Sequence, residues 1–298
     1  MAADLIRTKV SKIIPERLFM DHIRPSFFIL GANKCGTSSL YRYLVTHPNV
    51  LPCAEKEPNF FGLHSPEYIA SHIDEYYGLF PTCEYQGNLS FQWEASDQAG
   101  TSLPTRVHVE RDPGRQYITG EASANTFHEV SPSLLHQHLP DIKLILLFRN
   151  PIDRAYSHHR MYQRFQAAGN HLGFDVRDFE TDICAELEAH ARGEDTQYIC
   201  PGIYVDKLHK WVSQYKWDQI RVIITEELAD PIKAKRIMQN LEDYLGAPHH
   251  DYGEFLSRRF NHAPPSNITP RLRALLADLY RAYNRRLQEY LGCELHWD

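Results

Sequence analysis

The sequence predicts an α/β fold, a mostly parallel central sheet flanked by helices, and three stretches carry that prediction. Phe27-Phe28-Ile29-Leu30 is apolar without alternation, as a strand buried on both faces requires, and a tight turn leads from it into an amphipathic helix beginning at Thr37. Lys143-Leu144-Ile145-Leu146-Leu147-Phe148 is the strongest run of this kind, and a proline-led helix follows it. Ile220 to Thr225 is a third, succeeded by a helix from Pro231 to Leu245 that Gly246 stops. Strands alternating with helices build parallel sheets. The chain has 298 residues, enough for one α/β domain with a sizeable core. Residues 1–25 mix charges, apolar residues and two prolines, and read as a loosely attached leader; 26–298 read as a single domain.

In chain order, Ser26 to Gly31 is the first strand. The helix from Thr37 to His47 carries Leu40, Tyr43 and Leu44 on one face, and His47-Pro48 ends it. Residues 66–80 read as a helix with Tyr68, Ile69, Ile73, Tyr76 and Tyr77 along its apolar side. From 84 to 115 the pattern dissolves into polar residues, with one short strand at Arg106 to Val109; this is an excursion from the domain, of the kind that forms acceptor loops. Tyr117 to Asn125 runs from strand into loop. Ser131-Pro132 opens a helix reaching Pro140, with a capping residue and a proline in the first turn. The helix after Phe148 continues to Gln166, and its His158-His159 pair reads as solvated. Residues 174–192 form an acidic amphipathic helix, a further helix buries Leu208, Trp211, Val212 and Tyr215, and the last helix runs from a Thr269-Pro270 cap to Gly292.

The first strand, turn and helix carry the chemistry. Such a unit aims unpaired backbone N–H groups, and the positive end of the helix dipole, at one spot suited to a phosphate. Gly31 and Gly36 have the spacing of G-x-x-x-x-G-K-[ST], yet the lysine stands at 34, inside the loop, and Thr37 takes the place that a nucleoside triphosphatase gives to lysine. A Gly-x4-Gly spacing alone occurs by chance in many chains. The strand before it, the helix after it and Lys34 within it make it P-loop-like, with the hydroxyls of Thr37, Ser38 and Ser39 as further donors.

The run G-A-N-K-C-G-T-S-S-L-Y resembles the 5'-phosphosulfate-binding loop of carbohydrate sulfotransferases that use 3'-phosphoadenosine 5'-phosphosulfate (PAPS), and is most similar to the heparan sulfate N- and 3-O- types and the GalNAc 4-sulfate 6-O-sulfotransferase. The resemblance implies that Lys34, Cys35, Gly36, Thr37, Ser38 and Ser39 hold the 5' end of the donor. Arg149 and Ser157, eight residues apart, match the family's 3'-phosphate motif R-x-P-x-x-R-x-x-S, whereas a lone strand-end arginine would read as a surface ion pair. Glu57, three residues before Phe60-Phe61, matches the family's proposed general base. In isolation it would be a solvated loop charge beside Glu55 and Lys56. Glu121 and Ser123 follow the strand that corresponds to the family's second core strand, with Ala122 in place of the lysine found in glucosaminyl enzymes, and are candidates for orienting the acceptor or else a loop-capping pair. Gly202 and Tyr204, in a Gly-x-Tyr, would wall the nucleotide or else simply pack in the core, and Arg258 and Arg259 stand where the family has a glycine-containing basic loop over the purine. Arg154 reads as structural.

The implied activity is transfer of a sulfuryl group from PAPS to a hydroxyl or amine of a glycan or other acceptor, leaving 3',5'-ADP. No metal is expected, because Lys34 and Arg149 supply the positive charge. A P-loop kinase or NTPase is the rival class; it needs lysine directly after Gly36 and an acidic residue closing a strand. A nucleotide-binding protein that has lost catalysis, and a PAPS enzyme acting on a lipid or small alcohol, are the others.

The net charge of -6 argues against a nucleic-acid partner, though an anionic donor needs only local positive charge. The six cysteines show no C-x-x-C pair, so reduced thiols and no zinc site are expected. No stretch reaches the apolar length of a membrane span, and the N-terminus lacks an apolar signal core. The expected location is the cytoplasm, or the lumen if the chain is the trimmed soluble part of an anchored Golgi enzyme of the kind the resemblance implies.

Overall fold

The computed structural model describes residues 22–82, 88–96, 102–110, 112, 114–170, 173–257 and 267–297. The elements in order are β1 (Phe27–Gly31), α1 (Thr37–Thr46), β2 (Val50–Pro52), α2 (Phe60–Leu63), α3 (Pro66–Tyr77), β3 (Asn88–Ser96), β4 (Ser102–Glu110), β5 (Ile118–Ala122), α4 (Thr126–Glu129), α5 (Pro132–His138), β6 (Lys143–Phe148), α6 (Pro151–Ala167), α7 (Phe179–Ala191), α8 (Tyr204–Val212), β7 (Ile220–Ile224), α9 (Pro231–Leu245) and α10 (Pro270–Leu291).

Five strands form one sheet in the order β2-β5-β1-β6-β7, every neighbouring pair parallel. The central strand β1 is wholly buried, as its unbroken apolar run requires, and Phe28 pairs with Glu121 of β5 on one side and Leu144 of β6 on the other. Phe27, Ile29, Leu30 and Leu144 to Phe148 are fully inside, each contributing about 1.5–3 kcal/mol of burial. Helix α1 is fixed to the sheet by Tyr41, whose hydroxyl donates to Gly120 O at 3.0 Å and accepts from Cys53 N at 2.8 Å. On α8, Tyr204 stacks on Phe148 with centroids 4.5 Å apart, and Trp211 Nε1 donates to Phe127 O at 3.1 Å.

This topology positions the site. Because β1 lies between β5 and β6, and β2 lies beyond β5, the segments after β1, β2, β5 and β6 all leave the same carboxyl edge of the sheet, where α/β folds bind ligands. Gly31 closes β1 with φ 146°, and a Cβ there would stand 2.6 Å from Ala124 O, so the loops after β1 and β5 approach as closely as they do only with glycine.

The α/β expectation holds, and four local readings are corrected. Residues 84–115 are not patternless: β3 and β4 form an antiparallel ribbon pairing Leu89 with Val109 and Phe91 with Val107. The period-two alternation Leu89-x-Phe91-x-Trp93-x-Ala95 is its sequence signature. The acidic helix starts at Phe179 and not at 174, because Asp178 caps it by accepting from Thr181 N at 2.9 Å. The helix expected over 66–80 ends at Tyr77, and Gly78 caps it. His158 and His159 are buried, not solvated. Burial, beside the Arg154 guanidinium, holds His158 neutral with its pKa down at about 2, while His159 Nε2 meets Asp182 Oδ2 at 3.2 Å. Of the expected leader, residues 22–25 are described: His22 bridges to Thr82, and Ile23 N donates to Pro81 O at 2.9 Å.

Candidate active site

The loop between β1 and α1 is built from backbone. Ala32 N donates to Leu147 O at 2.8 Å, tying the loop to β6, and Cys35 N donates to Ala32 O at 3.1 Å, closing the turn. Thr225 Oγ1, just beyond β7, donates to Cys35 O at 2.6 Å, and Asn33 Nδ2 donates to Asn125 Oδ1 at 2.7 Å. Lys34 and Gly36 both take positive φ, 68° and 88°. The left-handed residue costs a lysine about 1–2 kcal/mol, and such turns curl successive N–H groups into an anion-binding concavity. Gly36 is the N-cap of α1 and brings no side-chain acceptor, nor is there an acidic residue in the first turn, so an anion meets the helix end without competition.

Side chains add charge to this frame. Lys34 Nζ lies 3.5 Å from Met161 Sδ. Burial, then the Arg164, Arg149 and Arg154 guanidinium groups, push its pKa down to about 8, with Glu57 pulling the other way. A lysine crowded by arginines is costly unless an anion joins them. Arg149, at the end of β6, reaches across with Nη1 donating to Lys34 O at 3.4 Å. Its backbone is fixed from both sides: Tyr204 OH donates to Arg149 O at 2.9 Å, and Glu226 Oε1 accepts from Asn150 N at 2.8 Å. Asn150 Oδ1 then caps α6 through Ile152 N at 2.9 Å. Ser157 is buried on α6, four residues before Met161 and seven before Arg164, so one helical face turns all three toward the loop.

Cys35 and Tyr204 face inward. The Cys35 thiol is fully buried, 3.5 Å from Tyr204 OH, and burial pushes its pKa up to about 11, so its share in the loop is to shape it. Thr37 is buried at the start of α1, while Ser38 and Ser39 are half-buried.

The turn after β2 brings up the second half of the site. Glu57 keeps 29% of its side chain exposed; Oε1 is 3.1 Å from Lys56 Nζ, and Oε2 accepts from Ala124 N at 3.4 Å. Behind it, Asn59 N donates to Ser123 Oγ at 3.0 Å, and Ser123 Oγ donates to Glu121 Oε2 at 2.5 Å. Glu121 and Ser123 are both fully buried, so they face the Glu57 turn and not solvent. Desolvation raises the Glu121 pKa to about 7, against hydrogen bonding from Ser123. Phe60 and Phe61 pack on Tyr76 with centroids 5.5 and 5.0 Å away, anchoring the turn's far end.

The structure thus brings Lys34, Gly36, Ser38, Arg149, Ser157 and Glu57 to one edge, places Cys35, Tyr204, Glu121 and Ser123 beneath it, and leaves Arg258 and Arg259 outside the described residues. Arg154 is buried with Nη2 donating to Tyr198 O, as its structural reading expects. Sequence reasoning missed Lys56, Asn125, Thr225, Met161 and Arg164, all of which act on the loop from other elements. Only Lys56 carried a signal, its adjacency to Glu57.

A sulfotransferase family model matches residues 25–199, more than half of the chain. Bifunctional heparan sulfate N-deacetylase/N-sulfotransferase 3 of Homo sapiens is 27% identical over 243 residues, covering 78% of this chain and 24% of that protein. Carbohydrate sulfotransferase 15 of Rattus norvegicus is 24% identical over 322 residues, covering 91% of this chain and 54% of that protein. The chain therefore spans about a quarter to about half the length of these curated relatives. The crystal structure of a sulfotransferase from Alicyclobacillus acidocaldarius shares the fold, with TM-score 0.61 and 23% identity over 91% of this chain and 97% of that one. No helix among the described residues is long and apolar enough to cross a membrane.

Proposed function

The chain belongs to the sulfotransferase family, whose members draw a sulfuryl group from PAPS, and from that premise we propose that it transfers this group to a hydroxyl or amine of a carbohydrate acceptor. The single observation that carries the site assignment is the 3.4 Å contact from Arg149 Nη1 to Lys34 O. It puts the guanidinium at the end of β6 against the loop after β1, which supports a single ligand held by both. The carbohydrate acceptor rests on the names of the relatives, a heparan sulfate N-sulfotransferase and a carbohydrate sulfotransferase.

The residues divide the work. The backbone N–H groups at the start of α1, with Lys34, Thr37, Ser38 and Ser39, hold the 5' end of the donor, and Arg149 with Ser157 holds the 3'-phosphate. Bound PAPS supplies the sulfuryl group and a phosphate oxygen able to leave with the bonding electrons. Glu57, tethered yet solvent-reaching, takes the proton of the attacking hydroxyl or amine. Lys34 and the helix end stabilise the negative charge that grows on the departing oxygen. Glu121 and Ser123 set the Glu57 turn, and Tyr204 locks the loop to Arg149.

Thermal shift tests the donor site: 3',5'-ADP without metal raises the melting temperature, whereas ATP with magnesium leaves it unchanged. The reverse result assigns the chain to a kinase-like chemistry. A labelled-sulfate transfer screen over glycans, lipids and small alcohols, read by mass spectrometry, then tests the acceptor class.

A further inference from the structure

Among the described residues, Lys56 is the one cation hydrogen-bonded to both halves of the site. Its Nζ lies 3.0 Å from Ser38 Oγ, on the first turn of α1, and 3.1 Å from Glu57 Oε1. The side chain is 9% exposed, so this ammonium is nearly out of water while its carboxylate partner is not. An ammonium has three N–H donors. Two are used by Ser38 and Glu57, and among the described residues no third acceptor is in reach. A desolvated ammonium with a spare donor is costly unless an anion completes it.

Where that spare donor sits follows from its two partners. Ser38 belongs to the helix end assigned to the donor's 5' side, and Glu57 to the group that takes the acceptor's proton. A group passing from donor to acceptor passes between them. Resting on the sulfuryl-transfer reading above, we propose that Lys56 recognises the sulfuryl group itself, its third N–H donating to one of the sulfuryl oxygens. In the transfer, a lone pair of the acceptor oxygen or nitrogen forms the new bond to sulfur while its proton goes to a Glu57 carboxylate oxygen. The bond from sulfur to the phosphate oxygen breaks, its electron pair stays on that oxygen, and 3',5'-ADP and the sulfated acceptor result. Lys56 bonds to the group in flight, whereas the role given to Lys34 is on the departing oxygen.

The test compares two ligands that differ only in that group. Calorimetric titration of the full chain with PAPS and with 3',5'-ADP is run for the wild type, Lys56→Met and Lys56→Arg. Lys56→Met weakens PAPS about tenfold, the size of one charge-assisted hydrogen bond, and changes 3',5'-ADP by less than about twofold. Lys56→Arg, which keeps a charged donor, recovers most of the PAPS affinity and shows that the loss is not one of folding. Equal losses for both ligands, or no loss for either, overturn the assignment while leaving the sulfuryl-transfer reading standing. A wild type that binds neither ligand sinks that reading, and this assignment with it.

Discussion

The donor loop and the Glu57 turn leave the same sheet edge, yet they are held in different ways. The loop offers an anion its backbone N–H groups, curled by left-handed conformations at Lys34 and Gly36, while side chains such as Thr225 and Arg149 brace its carbonyls from behind. The turn is fastened through side chains: Lys56 to Ser38 and Glu57, Ser123 to Asn59 and Glu121. A grip made of N–H groups survives the loss of one side chain, whereas a base presented by side chains does not. Binding and turnover should therefore separate under mutation. The sharpest separation is expected at Glu57→Gln, which keeps size and removes the proton acceptor. Turnover falls by about a thousandfold, and the Kd for 3',5'-ADP stays within about twofold. A parallel loss of affinity would erase the distinction between the two regions.

In the proposed reaction Lys34 serves both binding and turnover, and it should show an intermediate result. Lys34→Ala lowers turnover about a hundredfold, since the charge on the departing oxygen loses its nearest cation, and weakens 3',5'-ADP as well. A pH series sharpens this. With its pKa lowered to about 8, mainly by burial, Lys34 is charged at neutral pH and loses its proton as pH rises through about 8. Wild-type affinity for 3',5'-ADP therefore falls above that pH, and a phosphate that binds there draws a proton from solution. The dependence disappears in Lys34→Ala; if it persists, another group sets it.

The same contrast explains what was legible in the sequence. The donor loop obeys local rules, an apolar run, two glycines and a helix start, and each leaves a mark on adjacent residues. Arg149 was legible for the same reason, as a charge closing a buried strand before a proline. The network behind Glu57 is non-local: Ser123 lies 64 residues from Asn59, and Ala124 lies 67 from Glu57. No periodicity records such pairs, and Glu121 resembled an acceptor-facing loop residue until the sheet order placed it beside β1, fully buried. The β3–β4 ribbon was lost differently. Its alternation is present, but the polar half of each strand masked it.

Glu121 gives the smallest effect on turnover and the clearest one on stability. Its carboxyl is fully buried, and desolvation raises its pKa from 4.5 to about 7. Below pH 4.5 both the folded and unfolded states hold the proton, and the group makes no difference between pH values there. Between 4.5 and 7 the unfolded chain releases the proton while the folded protein keeps it, so stability declines as pH rises and levels off above 7, lower by about 3 kcal/mol. Glu121→Gln mimics the protonated carboxyl, still accepts from the Ser123 hydroxyl, and cannot ionise. Turnover should stay within about threefold, because the Asn59–Ser123 link that sets the Glu57 turn is retained. Other groups titrate in the same range, so the measure is the difference between the two melting curves. Relative to wild type, the variant gains about 5 °C between pH 5 and pH 8. A constant difference across that range would mean that Glu121 is already ionised in the fold, and that the turn is held by a buried charge in place of a neutral acid.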